Sequence, residues 1–148
     1  MNVRTIAVTL AAPRDTVFNF VADIENLPKW AGGWCERLAL ERGRWWAFTA
    51  EGEQVVDLES SAGTGVIDLR AGPQPERMTA TLVRVFALSL RRTLLTVTVI
   101  EAPDQTAEAY ERRYQLLLAA ARGLPRRFGG GELHPPSAGP ELAELGLN

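Results

Sequence analysis

The sequence predicts an α+β fold: a curved, seven-stranded antiparallel sheet closing around one long C-terminal helix, with two short helices after the first strand. Two observations lead there. Residues 104–124 carry Ala107, Tyr110, Tyr114, Leu117, Leu118 and Ala121 at three- and four-residue steps, with Glu108, Glu111, Arg112, Arg113 and Arg122 mostly on the other side, which is the pattern of an amphipathic helix. Glycines at positions 43, 52, 63 and 72 separate short β-branched or aromatic segments, the rhythm of an antiparallel meander. A helix with so apolar a face, following a run of strands, needs a sheet to lie against, and the two together leave room for a cavity.

The elements follow in order. Residues 3–10 alternate, with Ile6, Val8 and Leu10 on one face, and predict a strand. Pro13 opens a short helix to about Ala22, and Asp23 caps a second one that Pro28 limits,. Trp30, Gly32-Gly33 and Trp34 form a connecting loop. Strands are expected at 35–41, 44–50, 53–60, 64–70, 77–86 and 92–101. Asp104 is the expected cap of the long helix, and Gly123 with Pro125 its end,. The domain therefore spans 1–124, and residues 125–148, with Gly129-Gly130-Gly131, Pro135-Pro136 and Pro140, read as a tail with one helical turn at 141–145,.

Hairpin parity sets the faces. Two-residue loops at Arg42-Gly43 and Glu51-Gly52 put Leu38, Leu40, Trp45, Ala47, Val56 and Leu58 on one face, with Trp45 opposite Leu58 and Arg44 opposite both Glu41 and Glu59,. Trp46 and Phe48 then lie outside near Val55, a patch that suggests a homodimer. An even loop at 61–63 turns Ile67 and Leu69 inward, Asp68 and Arg70 outward, and sets Asp57 opposite Asp68; an odd loop would reverse the faces and make Asp68 and Arg70 a candidate acid–base pair. A four-residue loop at 87–90 places Met78, Ala80, Leu82, Arg84, Leu95, Val97 and Val99 inside and Thr79 and Thr81 outside.

Composition narrows the function. With 148 residues, 46% of them hydrophobic, the chain can bury a core without staples,. A net charge of −2 gives no case for nucleic acid,. Cys35 is the only cysteine and His134 the only histidine, which argues against a disulfide, a Cys/His metal site and a His-based triad. No cofactor is implied. No stretch is long enough for stable membrane insertion, and the expected location is the cytoplasm.

The opening residues carry a resemblance. Val8-Thr9-Leu10-Ala11-Ala12-Pro13, Val17-Phe18-Asn19-Phe20-Val21-Ala22-Asp23 and Glu25-Asn26-Leu27-Pro28-Lys29-Trp30 resemble the usual start of the SRPBCC superfamily, which includes START lipid-transfer domains, polyketide cyclases and pollen-allergen-like proteins. The resemblance covers about residues 3–124. It implies a helix-grip fold that holds a hydrophobic ligand between sheet and helix, and it leaves the activity open.

On this reading the cavity is lined by Trp30, Trp45, Val56, Leu58, Leu82, Arg84, Val97, Tyr110, Tyr114 and Leu117. The two tyrosine hydroxyls either orient a polar ligand group or belong to core residues that reach backbone groups. Arg84 either meets a ligand carboxylate, phosphate or carbonyl or snorkels to water. Trp30 and Trp34 form an aromatic gate or a structural wedge. Three functions remain in competition: a carrier or binding protein for a small hydrophobic molecule such as a lipid, isoprenoid or aromatic metabolite; a polyketide cyclase/dehydratase-type enzyme using the same cavity; and a dimerising interaction module.

Overall fold

The computed structural model describes residues 1–135. Eight antiparallel strands form one sheet: β1 (Val3–Leu10), β2 (Arg37–Glu41), β3 (Arg44–Thr49), β4 (Gly52–Ser61), β5 (Val66–Gln74), β6 (Arg77–Ser89), β7 (Arg92–Ile100) and β8 (Gly131–His134), in the spatial order β2-β3-β4-β5-β6-β7-β1-β8. Helix α1 (Arg14–Val21) packs on β6 and β7. A 3₁₀ turn at Ile24–Asn26 leads into α2 (Leu27–Trp30), which packs on the long helix α3 (Ala107–Arg127). Asp23 caps the 3₁₀ turn by accepting from the Glu25 N–H at 3.0 Å. Pro28 lies inside α2, in its first turn, where its missing N–H costs nothing,.

The core lies between the concave face of the sheet and α3. Ile6, Val8 and Leu10 of β1, Leu95, Val97 and Val99 of β7, and Val83 and Val85 of β6 meet Tyr110, Tyr114, Leu117, Ala121 and Leu124 of α3, all of them buried. Arg4, at the end of the same β1 row, ties helix to sheet: its guanidinium lies 3.7 Å from the centroid of the Tyr114 ring and 4.9 Å from that of Tyr110, and it pairs with Glu111,.

Strand faces agree with expectation wherever loops are even. Leu40 faces Trp45 and Leu38 faces Ala47 across Arg42-Gly43. In the next hairpin the turn is Ala50-Glu51, so Trp45 pairs with Val56 and Ala47 with Gln54. Thr49 fixes this turn, its hydroxyl accepting from the Glu51 N–H at 3.2 Å and donating to the Gly52 carbonyl at 2.8 Å. The shift is two residues, which keeps every face but replaces the expected Trp45–Leu58 and Arg44–Glu59 pairings; Glu59 pairs with Arg70 at 3.2 Å instead,. The β4–β5 turn is also even. Ile67 and Leu69 are buried, and Asp57 lies opposite Arg70 rather than Asp68.

The β6–β7 hairpin overturns expectation. Strand β6 runs on to Ser89, and the register shifts between Ala87 and Ser89. This bulge at Leu88 adds one residue to one strand and inverts the parity of β6. Thr81, Val83 and Val85 are the buried residues of β6, opposite Val99, Val97 and Leu95. Leu82 and Arg84, expected inside, lie on the convex face with Ala80.

The C-terminal end also differs. Thr106 rather than Asp104 caps α3, accepting from the Ala109 N–H at 3.1 Å. The helix continues through Gly123 and Pro125 to Arg127, because burial of Leu124 and the edge-to-face contact of Phe128 with Phe20, centroids 5.6 Å apart, reward the last turn,. Gly129, at φ +77°, then reverses the chain into β8, which pairs with the free edge of β1,. Residues 125–127 thus belong to α3 and residues 131–134 to the sheet, rather than to a separate tail. The turn expected at 141–145 lies outside the described residues.

Candidate functional site

Helix α3 rests on β1, β7 and β8. Its N-terminal half does not fill the space above the β3–β6 end of the sheet, where a cavity of about 730 Å³ opens. Leu69 and Ala71 come from β5, Met78, Thr79 and Thr81 from β6, Gln54 from β4, Trp34 from the Gly32-Gly33 loop, and Ala109, Arg113, Leu116 and Leu117 from α3. The inverted parity of β6 is what points Thr79 and Thr81 into this space. Gln105 completes the wall from the segment before α3.

The rim is charged, and ion pairs cross it twice. Glu51 of the β3–β4 turn meets Arg112 of α3 at 3.3 Å, and Arg77, at the start of β6, pairs with Asp104 of the 102–106 segment. The hydrogen bond from Arg77 holds the Asp104 carboxyl below the usual carboxylate range,. Gly72 lets the two strands at this rim approach: a Cβ there would lie 1.8 Å from the Arg77 carbonyl oxygen,.

Arg113 differs from the rim cations. It is half-buried, donates from its two terminal nitrogens to Gln105 Oε1 at 3.4 Å and to the Ile100 carbonyl, and leaves Nε–H buried without an acceptor. Among the described residues no carboxylate pairs with it. Burial is the main cause that pushes its pKa down,.

The structure separates the expected lining residues. Leu117 is buried and in the cavity wall. Val56 and Val97 are buried in the core, and Leu58 packs against it. Trp45 is half-buried on the same face as Val56, away from the lining. Trp30 is buried against α3, next to a smaller cleft formed with Lys29, Ala119, Ala120 and Gly123, and its Nε1–H has no partner. Tyr110 turns to the sheet and donates to the Val99 carbonyl at 2.9 Å, while Tyr114 lies under Arg4; both are core residues. Arg84 donates to Asp68 at 2.8 Å on the convex face. Asp68 and Arg70 are therefore a surface ladder with Arg84 and Glu59. Cys35 is buried, and desolvation pushes its thiol up to about 11, so it carries little thiolate at neutral pH,.

Sequence reasoning missed Arg113, Gln54, Thr79, Thr81, Gln105 and Leu116. One signal was available: Ala109, Arg113, Leu116 and Ala120 form a second helical stripe, small or apolar except for one arginine,. Trp34, read from sequence as either gate or wedge, stands in the wall.

Sequence comparison gives no match to a family model or to a curated protein. Structure comparison gives clear likenesses. An uncharacterised protein from Bacillus thuringiensis superposes with a TM-score of 0.68 at 13% identity, over 86% of this chain and 98% of that one. The Zhui aromatase/cyclase from a Streptomyces species gives 0.58 at 21% identity, over 85% and 95%. A START superfamily protein from Mycobacterium smegmatis gives 0.59 at 14% identity, over 84% and 97%. The chain has a START-type helix-grip fold. At these identities the likeness concerns the fold alone. Among the described residues, no helix is long and apolar enough to cross a membrane.

Proposed function

We propose that this protein binds a small hydrophobic molecule, aliphatic or aromatic, in the cavity between the N-terminal half of α3 and the β3–β6 end of the sheet. The observation that carries the reading is the lining itself. A volume of about 730 Å³ is within the range of small-molecule sites, and its wall joins an apolar set, Trp34, Leu69, Met78, Leu116 and Leu117, to polar side chains that can orient a ligand, Gln54, Thr79, Thr81, Gln105 and Arg113, under a charged rim,. A ligand burying roughly 300 Å² of its own apolar surface gains about 7.5 kcal/mol at ~25 cal/mol/Å², before the costs of association. The two ion pairs of the rim are between side chains and can open without breaking the sheet.

A second reading, a polyketide cyclase-type enzyme, draws on the same wall. Arg113, Thr79, Thr81 and Gln105 supply donors to carbonyl oxygens, as a site that folds a polycarbonyl chain needs,, and the Zhui neighbour carries an aromatase/cyclase name. Native mass spectrometry of the purified protein, with organic extraction, tests the first reading: a stoichiometric apolar mass supports it. A clean apo mass, together with turnover of a poly-β-carbonyl substrate, moves the assignment to the enzyme. The half-buried Trp46 and Phe48 on the convex face, with Arg37 stacked over the Phe48 ring at 3.8 Å, are a proposed homodimer contact; sedimentation at micromolar concentration showing monomer alone would remove it.

A further inference from the structure

Arg113 is the one guanidinium of α3 that faces the cavity without an acidic partner among the described residues, for Arg112 beside it is paired with Glu51. Its terminal nitrogens rest on neutral oxygens, and Nε–H has no acceptor. A cation withdrawn from water in this way is costly unless a counter-charge meets it. The helix offers solvent one residue earlier, at Arg112, so a charge needed only for solubility had a cheaper place. The wall combines Leu69, Met78, Leu116 and Leu117 with polar side chains and with carboxylates, Glu53 and Glu76 among them, and it holds no second unpaired cation among the described residues.

We propose that Arg113 recognises the carboxylate of an otherwise apolar ligand acid. This rests on the cavity reading and deepens it. The chemistry selects a monoanion: one unpaired guanidinium balances one charge, whereas a phosphate would call for more cations. A planar pair of oxygens matches the guanidinium fork, and a small rotation of the side chain presents Nε and one terminal nitrogen together. Thr79 and Thr81, which also face the cavity, supply further donors.

The test uses the full chain and two matched probe pairs, decanoate with 1-decanol and 2-naphthoate with 2-naphthol, titrated against Trp34 fluorescence and checked by calorimetry. In at least one pair the acid is expected to bind about tenfold or more tightly than the alcohol. Arg113→Met is expected to abolish that preference and leave alcohol affinity within about twofold. Without ligand, its melting temperature is expected to hold or rise, whereas a merely structural Arg113, needed for Gln105 and Ile100, would make it fall. Should Arg113→Met not fold, Arg113→Lys retains charge but not the fork, and is expected to weaken acid binding with alcohol binding intact. Equal binding of acid and alcohol, or a preference that survives in the variants, overturns the carboxylate assignment and leaves the cavity reading standing. Failure of all four probes to bind overturns both.

Discussion

Tyr110→Phe separates core from cavity with the loss of one oxygen atom. The hydroxyl is buried, donates to the Val99 carbonyl at 2.9 Å, and lies 3.5 Å from Arg4 Nε. Removing it deletes a buried hydrogen bond without creating a cavity, and the ring that carries Arg4 remains. Such a bond contributes about 1 kcal/mol, and the carbonyl it leaves under-satisfied raises the expected loss to about 1–2 kcal/mol. With a urea slope of about 2 kcal/mol/M for a domain of this size, the midpoint should fall by roughly 0.5–1 M with the slope unchanged. Because the hydroxyl points at β7 and not into the cavity, probe affinity should stay within about twofold, less than 0.5 kcal/mol. The assay is a paired urea melt and ligand titration on the same preparation. An unshifted midpoint with a tenfold weaker probe would refute the reasoning, for it would place the hydroxyl on the ligand.

Three further outcomes are expected. Leu95→Ala, in the fully packed core, should cost about 2–5 kcal/mol, whereas Leu117→Ala, with one side on the cavity, should cost nearer 1 kcal/mol; urea melts giving equal losses would mean that the cavity wall is packed shut. Gly72→Ala forces a Cβ onto the Arg77 carbonyl and should open the β5–β6 rim at a cost of about 1–3 kcal/mol, visible as faster amide exchange at residues 72–79. The Asp104 and Glu111 carboxyls are held low chiefly by Arg77 and Arg4, so their folded pKa values lie below the unfolded ones. Their contribution is therefore complete above about pH 4 and is lost as pH falls through the folded values. Arg4→Met should flatten the Glu111 share of that acid limb in melts between pH 5 and pH 2, and an unchanged limb would show that the pair is idle.

How much the sequence revealed depends on what each inference needed. The faces of β2, β3, β4 and β5 were legible because parity survives any error of two residues, and the misplaced turn at Thr49 was such an error. The face of β6 was not, because one extra residue at Leu88 inverts it. Leu88 is an exposed leucine with no glycine beside it, and nothing in a strand of alternating residues marks a bulge. The apolar stripe of α3 was legible from Tyr110 to Ala121. Which stripe meets the sheet and which meets the cavity depends on where the helix lies across the strands, and periodicity does not carry that information. Arg84 therefore drew attention, whereas Arg113 is the one that lines the cavity: both are single arginines in apolar rows, and only the tertiary placement distinguishes them. The eighth strand was hidden because Gly129-Gly130-Gly131 signals a break, and glycines serve a sharp reversal as well as a loose end.

Strand β8 has a mechanical consequence. It lies just beyond α3 and is laced to β1, so the C-terminal end of the helix is anchored by strand hydrogen bonds as well as by Leu124 and Phe128. The other end is held by side chains rather than by a strand: Tyr110 donates to the Val99 carbonyl, Arg4 stacks on Tyr114 and pairs with Glu111, and Arg112 meets Glu51 across the rim. The helix is therefore fastened by main-chain bonds at one end and by separable side-chain pairs at the other. Parting the Arg112–Glu51 and Arg77–Asp104 pairs would widen the mouth while the buried Tyr110 and Leu124 keep the helix seated on the sheet.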